Sequence, residues 1–172
     1  VTACNLALSI ARLSERSVLL VDLDLRKPKV ASYLGINRNF GVLSVLQGRR
    51  DLAEATVQAT IGGEKILVLP GEATQDAAEW MASPTMSTLL QTIKREFRSK
   101  IVILDLPPIL AGDDALALLP QLQCALMVAE AGSTSLSEIK ECSRHLKTTP
   151  IVRVVLNKIT EREPTAPYHA YY

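Results

Sequence analysis

The chain has 172 residues, of which 48% are hydrophobic and 22% charged, and this ordinary composition excludes intrinsic disorder over most of its length. Nineteen basic and eighteen acidic side chains give a net charge of +1, so no overall field directs the protein to nucleic acid or to an acidic membrane surface. The apolar runs are far shorter than the about 20 residues that cross a bilayer, which excludes a membrane-spanning class.

The three cysteines, Cys4, Cys124 and Cys142, are scattered along the chain. Their odd number and their spacing fit neither a disulfide framework nor a zinc site, which predicts a protein of a reducing cytosol. No segment has the charge and apolar pattern of a signal peptide, so a secreted protein is not expected.

The first predicted element is a helix over residues 5–13, with Leu6, Ile10 and Leu13 facing inward. Residues 26–63 predict short helices joined by glycine turns. Short apolar runs elsewhere are typical of strands covered on both faces, as in a parallel sheet. These runs cover residues 18–21, 66–69, 101–104, 125–128 and 151–156.

Two further helices have clear start signals. Ser83 followed by Pro84 is typical of an N-cap and first helical position, and Ser135 with Glu138 has the spacing of a capping box. Apolar stripes at helical spacing follow these starts, namely Met86, Leu89, Leu90, Ile93 and Phe97 in one helix and Leu136, Ile139, Cys142 and Leu146 in the other.

Alternation of strands and helices predicts an α/β fold with a doubly wound, mainly parallel sheet. Residues 1–157 are expected to form this domain. Residues 158–172 are polar and interrupted by prolines, which predicts a flexible tail. The tail holds three of the four tyrosines, Tyr168, Tyr171 and Tyr172. In such folds ligands bind beyond the carboxyl ends of the strands, so chemistry is sought where each apolar run ends.

The first strand ends in Asp22-Leu23-Asp24. Two carboxylates two residues apart lie on the same side of an extended chain, and their repulsion favours a cation between them. An acidic strand end, with Asp24 capping the next turn, is the plainer alternative.

The third run ends in Asp105, followed by Leu106-Pro107-Pro108. A carboxylate after a buried strand is the pattern that presents one acid to a magnesium-bound nucleotide, although many α/β strands end in Asp. The prolines predict an extended loop. Asp113 or Asp114 is then expected to cap a following helix.

The last run ends in Asn157 and Lys158. An Asn side chain offers a donor and an acceptor together and so pairs with a base edge. A turn residue at the end of the strand is the alternative, and spacing alone favours it.

Together these segments resemble the bacterial tyrosine kinases (BY-kinases) of capsule and exopolysaccharide export. VLLVDLDLRKP (18–28) and IVILDLPPIL (101–110) resemble the two acidic motifs of that family, and the pair is fairly specific. Agreement extends along almost all of the chain, in NLA (5–7), GVLSVLQG (41–48), VLPG (68–71), EWMASPTM (79–86), VVLNK (154–158) and the terminal tyrosines.

The resemblance implies a P-loop NTPase fold that binds ATP and Mg²⁺ and phosphorylates tyrosines in its own tail. Asp22 and Asp24 would be the Walker A′ carboxylates and the catalytic pair, with Asp22 the better candidate to accept the tyrosine proton. Asp105, of Walker B type, would hold magnesium, with Asp22 as a second metal residue. Asn157 would contact the nucleotide base, and Tyr168, Tyr171 and Tyr172 would be autophosphorylated.

The chain also departs from the family pattern. Leu23 and Leu106 replace the usual small residue and Thr, and the family's phosphate loop, G-x-G-K-[ST], is not found in the 172 residues. The family places this loop and its central strand just before the position of Val1. The sequence as given is therefore expected to be a piece of a longer chain that binds ATP poorly by itself.

Three functions remain open on the sequence: a tyrosine autokinase, a partition or septum-positioning ATPase switch, and a non-catalytic remnant. The resemblance favours the autokinase, because a switch has no need of clustered terminal tyrosines. It implies a homo-oligomeric ring at the inner face of the bacterial plasma membrane. It also implies a membrane-embedded chain-length or adaptor partner and a cognate tyrosine phosphatase, and no nucleic acid.

Overall fold

Four strands form the sheet of the first unit of the computed structural model, which describes residues 1–13 and 17–159. The strands are β1 (Val18–Asp22), β2 (Val57–Ile61), β3 (Glu64–Leu69) and β4 (Ile101–Asp105). Their order is β2-β3-β1-β4, with β1 parallel to both β3 and β4 and β2 antiparallel to β3. This unit covers Val1–Leu122, and a second compact unit begins at Gln123.

Helices pack against the four-stranded sheet. They are α1 (Thr2–Leu13), α2 (Val30–Tyr33), α3 (Val42–Leu46), α4 (Leu52–Ala55), α5 (Ala77–Met81) and α6 (Pro84–Glu96). A 3₁₀ turn over Leu116–Gln121 closes the unit. The short helices expected between residues 26 and 63 are α2, α3 and α4, and the predicted start of α6 is confirmed, because Ser83 Oγ accepts a hydrogen bond from Met86 N at 3.1 Å.

The core lies on both faces of the sheet, because every residue of β1 is buried and successive side chains point to opposite faces. Leu19 and Val21 join a cluster with residues of α3 to α6. Val18 and Leu20 join a second cluster with α1 and α2. Each such side chain contributes about 1.5–3 kcal/mol when removed from water, so β1 is fixed at the centre of the unit.

The second unit contains β5 (Cys124–Glu130) and β6 (Ile151–Asn157), which are parallel and in register from one end to the other. Between them lie α7 (Leu136–His145) and a 3₁₀ turn over Leu146–Thr148. The predicted capping box is confirmed, since Ser135 N donates to Glu138 Oε2 at 2.7 Å and Glu138 N donates to Ser135 Oγ at 3.2 Å.

The α/β class and the mainly parallel sheet are confirmed, and each of the five predicted strands is present. Strand β2 was missed. It pairs with β3 through a two-residue turn in which Gly62 and Gly63 have φ of +57° and +89°. Two glycines between alternating apolar residues are a hairpin signal, and the sequence contained it.

Two inward assignments are wrong. Leu13 is 85% exposed and Leu136 is 76% exposed. In α1 the fully buried positions are Cys4 and Ala7 instead. A small-residue face lets this helix lie close to the sheet, whereas Leu13 is the last residue of α1 and Leu136 is the first residue of α7.

Candidate functional site

The strand ends bring two of the predicted acids together. Asp22 and Asp105 are the last residues of β1 and β4 and lie in register in the parallel pair. Just beyond them, Leu23 N donates a hydrogen bond to Asp105 O at 2.8 Å, which prolongs the strand pairing by one residue. The predicted convergence of these carboxylates at one sheet edge is therefore present in the structure.

Asp22 is fully buried, and its carboxylate organises the loop that follows β1. Its Oδ1 accepts a hydrogen bond from Asp24 N at 3.2 Å. Its Oδ2 accepts from Lys29 N and Val30 N, both at 3.0 Å, at the start of α2. Burial and, to a smaller extent, the charge of Asp105 together raise the pKa of Asp22 to about 6, against the lowering effect of these hydrogen bonds.

Asp24 and Asp105 make the accessible part of the site. Asp24 Oδ1 accepts from Lys27 N at 3.0 Å, which forms a turn beside the strand end. The pKa of Asp105 is raised, mainly by burial and also by the charge of Asp24. Asp24 lines a cleft of about 190 Å³, whose other walls are Arg26, Lys27, Pro107, Pro108, Ala111, Gly112 and Asp114.

Arg26 and Asp114 form a bridge at this cleft that sequence reasoning missed. Arg26 Nε donates to Asp114 Oδ2 at 2.5 Å and Nη2 donates to Oδ1 at 3.1 Å. The expected helix cap at Asp113 or Asp114 is wrong, because the 3₁₀ turn has Ala115 at its N-cap position and no side-chain cap. Nothing local in the sequence indicates a pairing across 88 residues.

Gly71 is a second feature that the sequence did not reveal as part of the site. A Cβ atom at this position would lie 2.8 Å from Pro28 Cβ and 3.0 Å from Asp22 Cγ. The chain after β3 thus covers the Asp22 carboxylate closely, and only glycine fits there without displacement. The VLPG segment is the signal that could have drawn attention to it.

The remaining predicted site residues do not belong to the first unit. Asn157 ends β6 in the second unit, in register with Glu130 of β5. Lys158 follows with φ of +58°, and its Nζ lies 2.8 Å from Glu130 Oε1. Tyr168, Tyr171 and Tyr172 lie outside the described residues, as does most of the predicted tail.

The acids at the strand ends fit a magnesium ion that is bound by few protein ligands. No group of three or more His, Cys, Asp or Glu side chains in residues 1–13 and 17–159 is arranged to hold a metal ion. Mg²⁺, however, commonly takes only one or two protein carboxylates, the rest of its shell being water and phosphate oxygens. Asp105, with Asp24 near it, fits this requirement, whereas both oxygens of Asp22 already accept backbone hydrogen bonds.

Membrane-crossing helices are not found, because no helix in the described part of the chain has the required length and apolarity.

Solved structures define the class of protein. The kinase domain of the Escherichia coli tyrosine kinase ETK is similar with a TM-score of 0.82 and 26% identity, over 99% of this chain and 66% of that one. The septum site-determining protein MinD of Pyrococcus horikoshii, complexed with Mg-ADP, has a TM-score of 0.74 and 22% identity, over 94% of this chain and 65% of that one. The second likeness concerns the fold alone, and together they place the chain among P-loop NTPase folds.

Sequence relatives narrow the class. The tyrosine-protein kinase YwqD of Bacillus subtilis is 31% identical over 147 residues, which are 86% of this chain and 60% of the relative. The tyrosine-protein kinase wzc of Salmonella typhi is 29% identical over 170 residues, 98% of this chain and 23% of the relative. No family model matches the sequence. These relatives and the ETK kinase domain support the assignment of the chain to the bacterial tyrosine kinase (BY-kinase) family, and the chain spans less than two thirds of both relatives.

Proposed function

We propose that the protein is an ATP-dependent protein-tyrosine autokinase that regulates the polymerisation and export of capsular or exopolysaccharide. One observation carries the proposal: Asp22 and Asp105 end neighbouring strands in register, with Asp24 at an open cleft beside them. The chain's relatives named as tyrosine kinases support the activity. The partition-type switch is the second candidate, because MinD shares the fold.

The roles of the acids follow from their surroundings. Asp105 would hold Mg²⁺ through water, since its carboxylate is only partly buried at the strand end. Bound Mg-ATP supplies the phosphoryl group and the charge that neutralises it during transfer. In this proposal a G-x-G-K-[ST] loop binds the phosphates, and the 172 residues do not contain that motif. Reading the coding sequence upstream of Val1 for the motif is therefore a direct test of the kinase proposal.

Asp24 is the better placed of the two remaining acids to accept the tyrosine proton. It lines the cleft, where a hydroxyl group has access to it. Asp22 is fully buried and accepts three backbone N–H groups, so it would shape the loop that carries Asp24. We therefore assign the role of base to Asp24, whereas the sequence favoured Asp22. Asp22 stays in the catalytic pair as the residue that orients Asp24.

Partners and location are part of the same proposal. Acceptor tyrosines at Tyr168, Tyr171 and Tyr172 would enter the site of a neighbouring copy in a homo-oligomeric ring, held at the inner membrane face by a membrane-embedded polysaccharide adaptor protein. Each phosphate adds about −1.5 to −2 charge, so phosphorylation of the tails would drive the copies apart by repulsion. A tyrosine phosphatase would reset the ring.

The site is tested in the full-length protein with Mg-ATP by following phosphotyrosine with mass spectrometry. Asp105→Asn should lower the rate by about 100-fold or more, because phosphoryl transfer depends on charge stabilisation at the metal. Asp113→Asn is the matched control, being an exposed acid in the loop after β4, and should retain the wild-type rate. An unchanged rate in Asp105→Asn would refute the assignment.

The acceptors are tested by replacing Tyr168, Tyr171 and Tyr172 together with Phe. Total phosphotyrosine should fall to a small fraction of wild type, whereas Tyr33→Phe, a half-exposed tyrosine of α2, should leave it unchanged. Undiminished phosphotyrosine in the triple variant would end the claim for the tail. ATP hydrolysis without any phosphotyrosine would favour the switch ATPase instead.

A further inference from the structure

Among the ion pairs of residues 1–13 and 17–159, the Arg26–Asp114 bridge has the most buried carboxylate. Asp114 is 5% exposed, and both its oxygens accept from one guanidinium group in a fork, at 2.5 Å and 3.1 Å. The Arg12–Glu64 pair on α1 and β3 has a single contact at 3.6 Å, and Arg12 is 69% exposed. A buried carboxylate depends on its partner far more than an exposed one does.

The bridge joins the two loops that carry the candidate acids. Arg26 lies in residues 23–29, which Asp22 and Asp24 hold through backbone N–H groups. Asp114 ends residues 106–114, which leave β4 directly after Asp105. Pro107 and Pro108 in that loop have no N–H group, so the loop has fewer backbone hydrogen bonds available to fix its position. The two hydrogen bonds from Arg26 to Asp114 hold the end of this loop that is farther from β4.

We propose that Arg26 is a positioning residue for the proposed phosphoryl transfer: by holding Asp114 it fixes the loop over residues 106–114 against the cleft that Asp24 lines. The inference rests on the proposed function. The fork lies at the cleft itself, because Arg26 and Asp114 line it together with Pro107 and Pro108 of the same loop. A displacement of about 1 Å at such a site costs up to roughly 100-fold in rate.

Direct contact between Arg26 and a phosphate group is the competing role, and the structure disfavours it. Both the Nε and Nη2 donors of the fork are already bound to Asp114. A phosphate bound to these two donors would have to displace a carboxylate that is only 5% exposed. Lys27 in the same cleft is exposed and is the better candidate for an anion.

A double-mutant cycle in the full-length protein separates these roles. Arg26→Gln, Asp114→Asn and the double variant are compared for autophosphorylation at varied ATP and for amide hydrogen exchange over residues 109–114. Arg12→Gln is the matched control. We expect each single variant to lower kcat by about tenfold or more, with the KM for ATP within about twofold of wild type. The double variant should be no worse than the more affected single one, because both break the same contact.

Hydrogen exchange over residues 109–114 should accelerate in all three variants and remain unchanged in Arg12→Gln. Full activity in Asp114→Asn together with a raised KM in Arg26→Gln would overturn the proposal in favour of a phosphate contact. Unchanged exchange in Arg26→Gln would overturn it whatever the activity. If the wild type makes no phosphotyrosine, the proposed function fails, while the exchange measurement still decides whether the bridge holds the loop.

Discussion

Asp22 and Asp105 lie side by side at the ends of two hydrogen-bonded parallel strands, and the pKa of each carboxyl group is raised, mainly by burial. Two acids so placed destabilise the fold when both are ionised, and a cation near them relieves that cost. The arrangement is therefore a source of instability in the free protein and a source of affinity for a metal-bound ligand.

The pH dependence of stability follows from Asp22. Its pKa rises from 3.8 to about 6 on folding, so the folded state binds the proton more tightly, and this contribution to stability is complete below about pH 4 and lost above about pH 6. The free energy of unfolding of the wild type should rise by roughly 2 kcal/mol from this group as the pH falls from 7 to 4. Urea unfolding without Mg²⁺ at several pH values measures it.

The Asn side chain of Asp22→Asn does not titrate, so this variant should lose most of the increase in the free energy of unfolding between pH 7 and pH 4. The smaller increase that arises from protonation of Asp105 should remain. Asp113→Asn should keep the wild-type slope. A slope in Asp22→Asn equal to that of the wild type would show that the ionised Asp22 is not destabilising.

Gly71 should not tolerate a side chain. In Gly71→Ala the new Cβ would lie 2.8 Å from Pro28 Cβ and 3.1 Å from Asp22 O, so the strand end must shift. We expect a loss of about 1–3 kcal/mol in stability and a fall in autophosphorylation. Gly112→Ala, whose Cβ would lie 3.7 Å from Asp114 Oδ1, is the control and should be close to neutral in thermal unfolding. Equal melting temperatures for the two variants would contradict the close packing.

Glu72 should be important for the segment around α3. Its Oε2 accepts from Gly41 N at 2.7 Å and Ser44 N at 2.6 Å, and its Oε1 accepts from Ser44 Oγ at 2.9 Å. Glu72→Gln loses charge-assisted hydrogen bonds in a largely buried position, which should cost about 1–3 kcal/mol. Glu96→Gln, an exposed acid paired with Arg95 at 3.5 Å, should change stability by less than about 0.5 kcal/mol. Urea unfolding compares the two.

Asn157 should distinguish adenine from guanine if it contacts the base. The wild-type full-length protein would then bind ATP more tightly than GTP, and Asn157→Ala would lose the difference, because the amide offers a paired donor and acceptor. Titration with the two nucleotides measures it. Equal ATP and GTP affinities in both proteins would show that Asn157 does not contact the base and is only a turn residue at the end of β6.

The sequence by itself determined the elements whose signals are local. The apolar runs of β1, β3 and β4 are strands because β-branched and aliphatic side chains cover both faces of a parallel sheet. The starts of α6 and α7 follow from Ser83 and Ser135, since a cap acts within three residues. The position of Asp22, Asp24 and Asp105 at or just after strand ends follows from the same runs. The motifs that contain these acids also carry the resemblance to the BY-kinase family.

Only the tertiary structure decided which contacts the carboxylates at the strand ends make. Strand order places β1 between β3 and β4, which brings Asp22 beside Asp105 across 83 residues (105 − 22) of chain. The same packing turns Asp22 toward the backbone of α2, leaves the cleft to Asp24, and pairs Arg26 with Asp114. These outcomes depend on burial and on contacts between distant segments, which local propensity does not encode. The local sequence around a carboxylate at a strand end is the same whether that carboxylate caps a helix, pairs with an arginine or contacts a ligand.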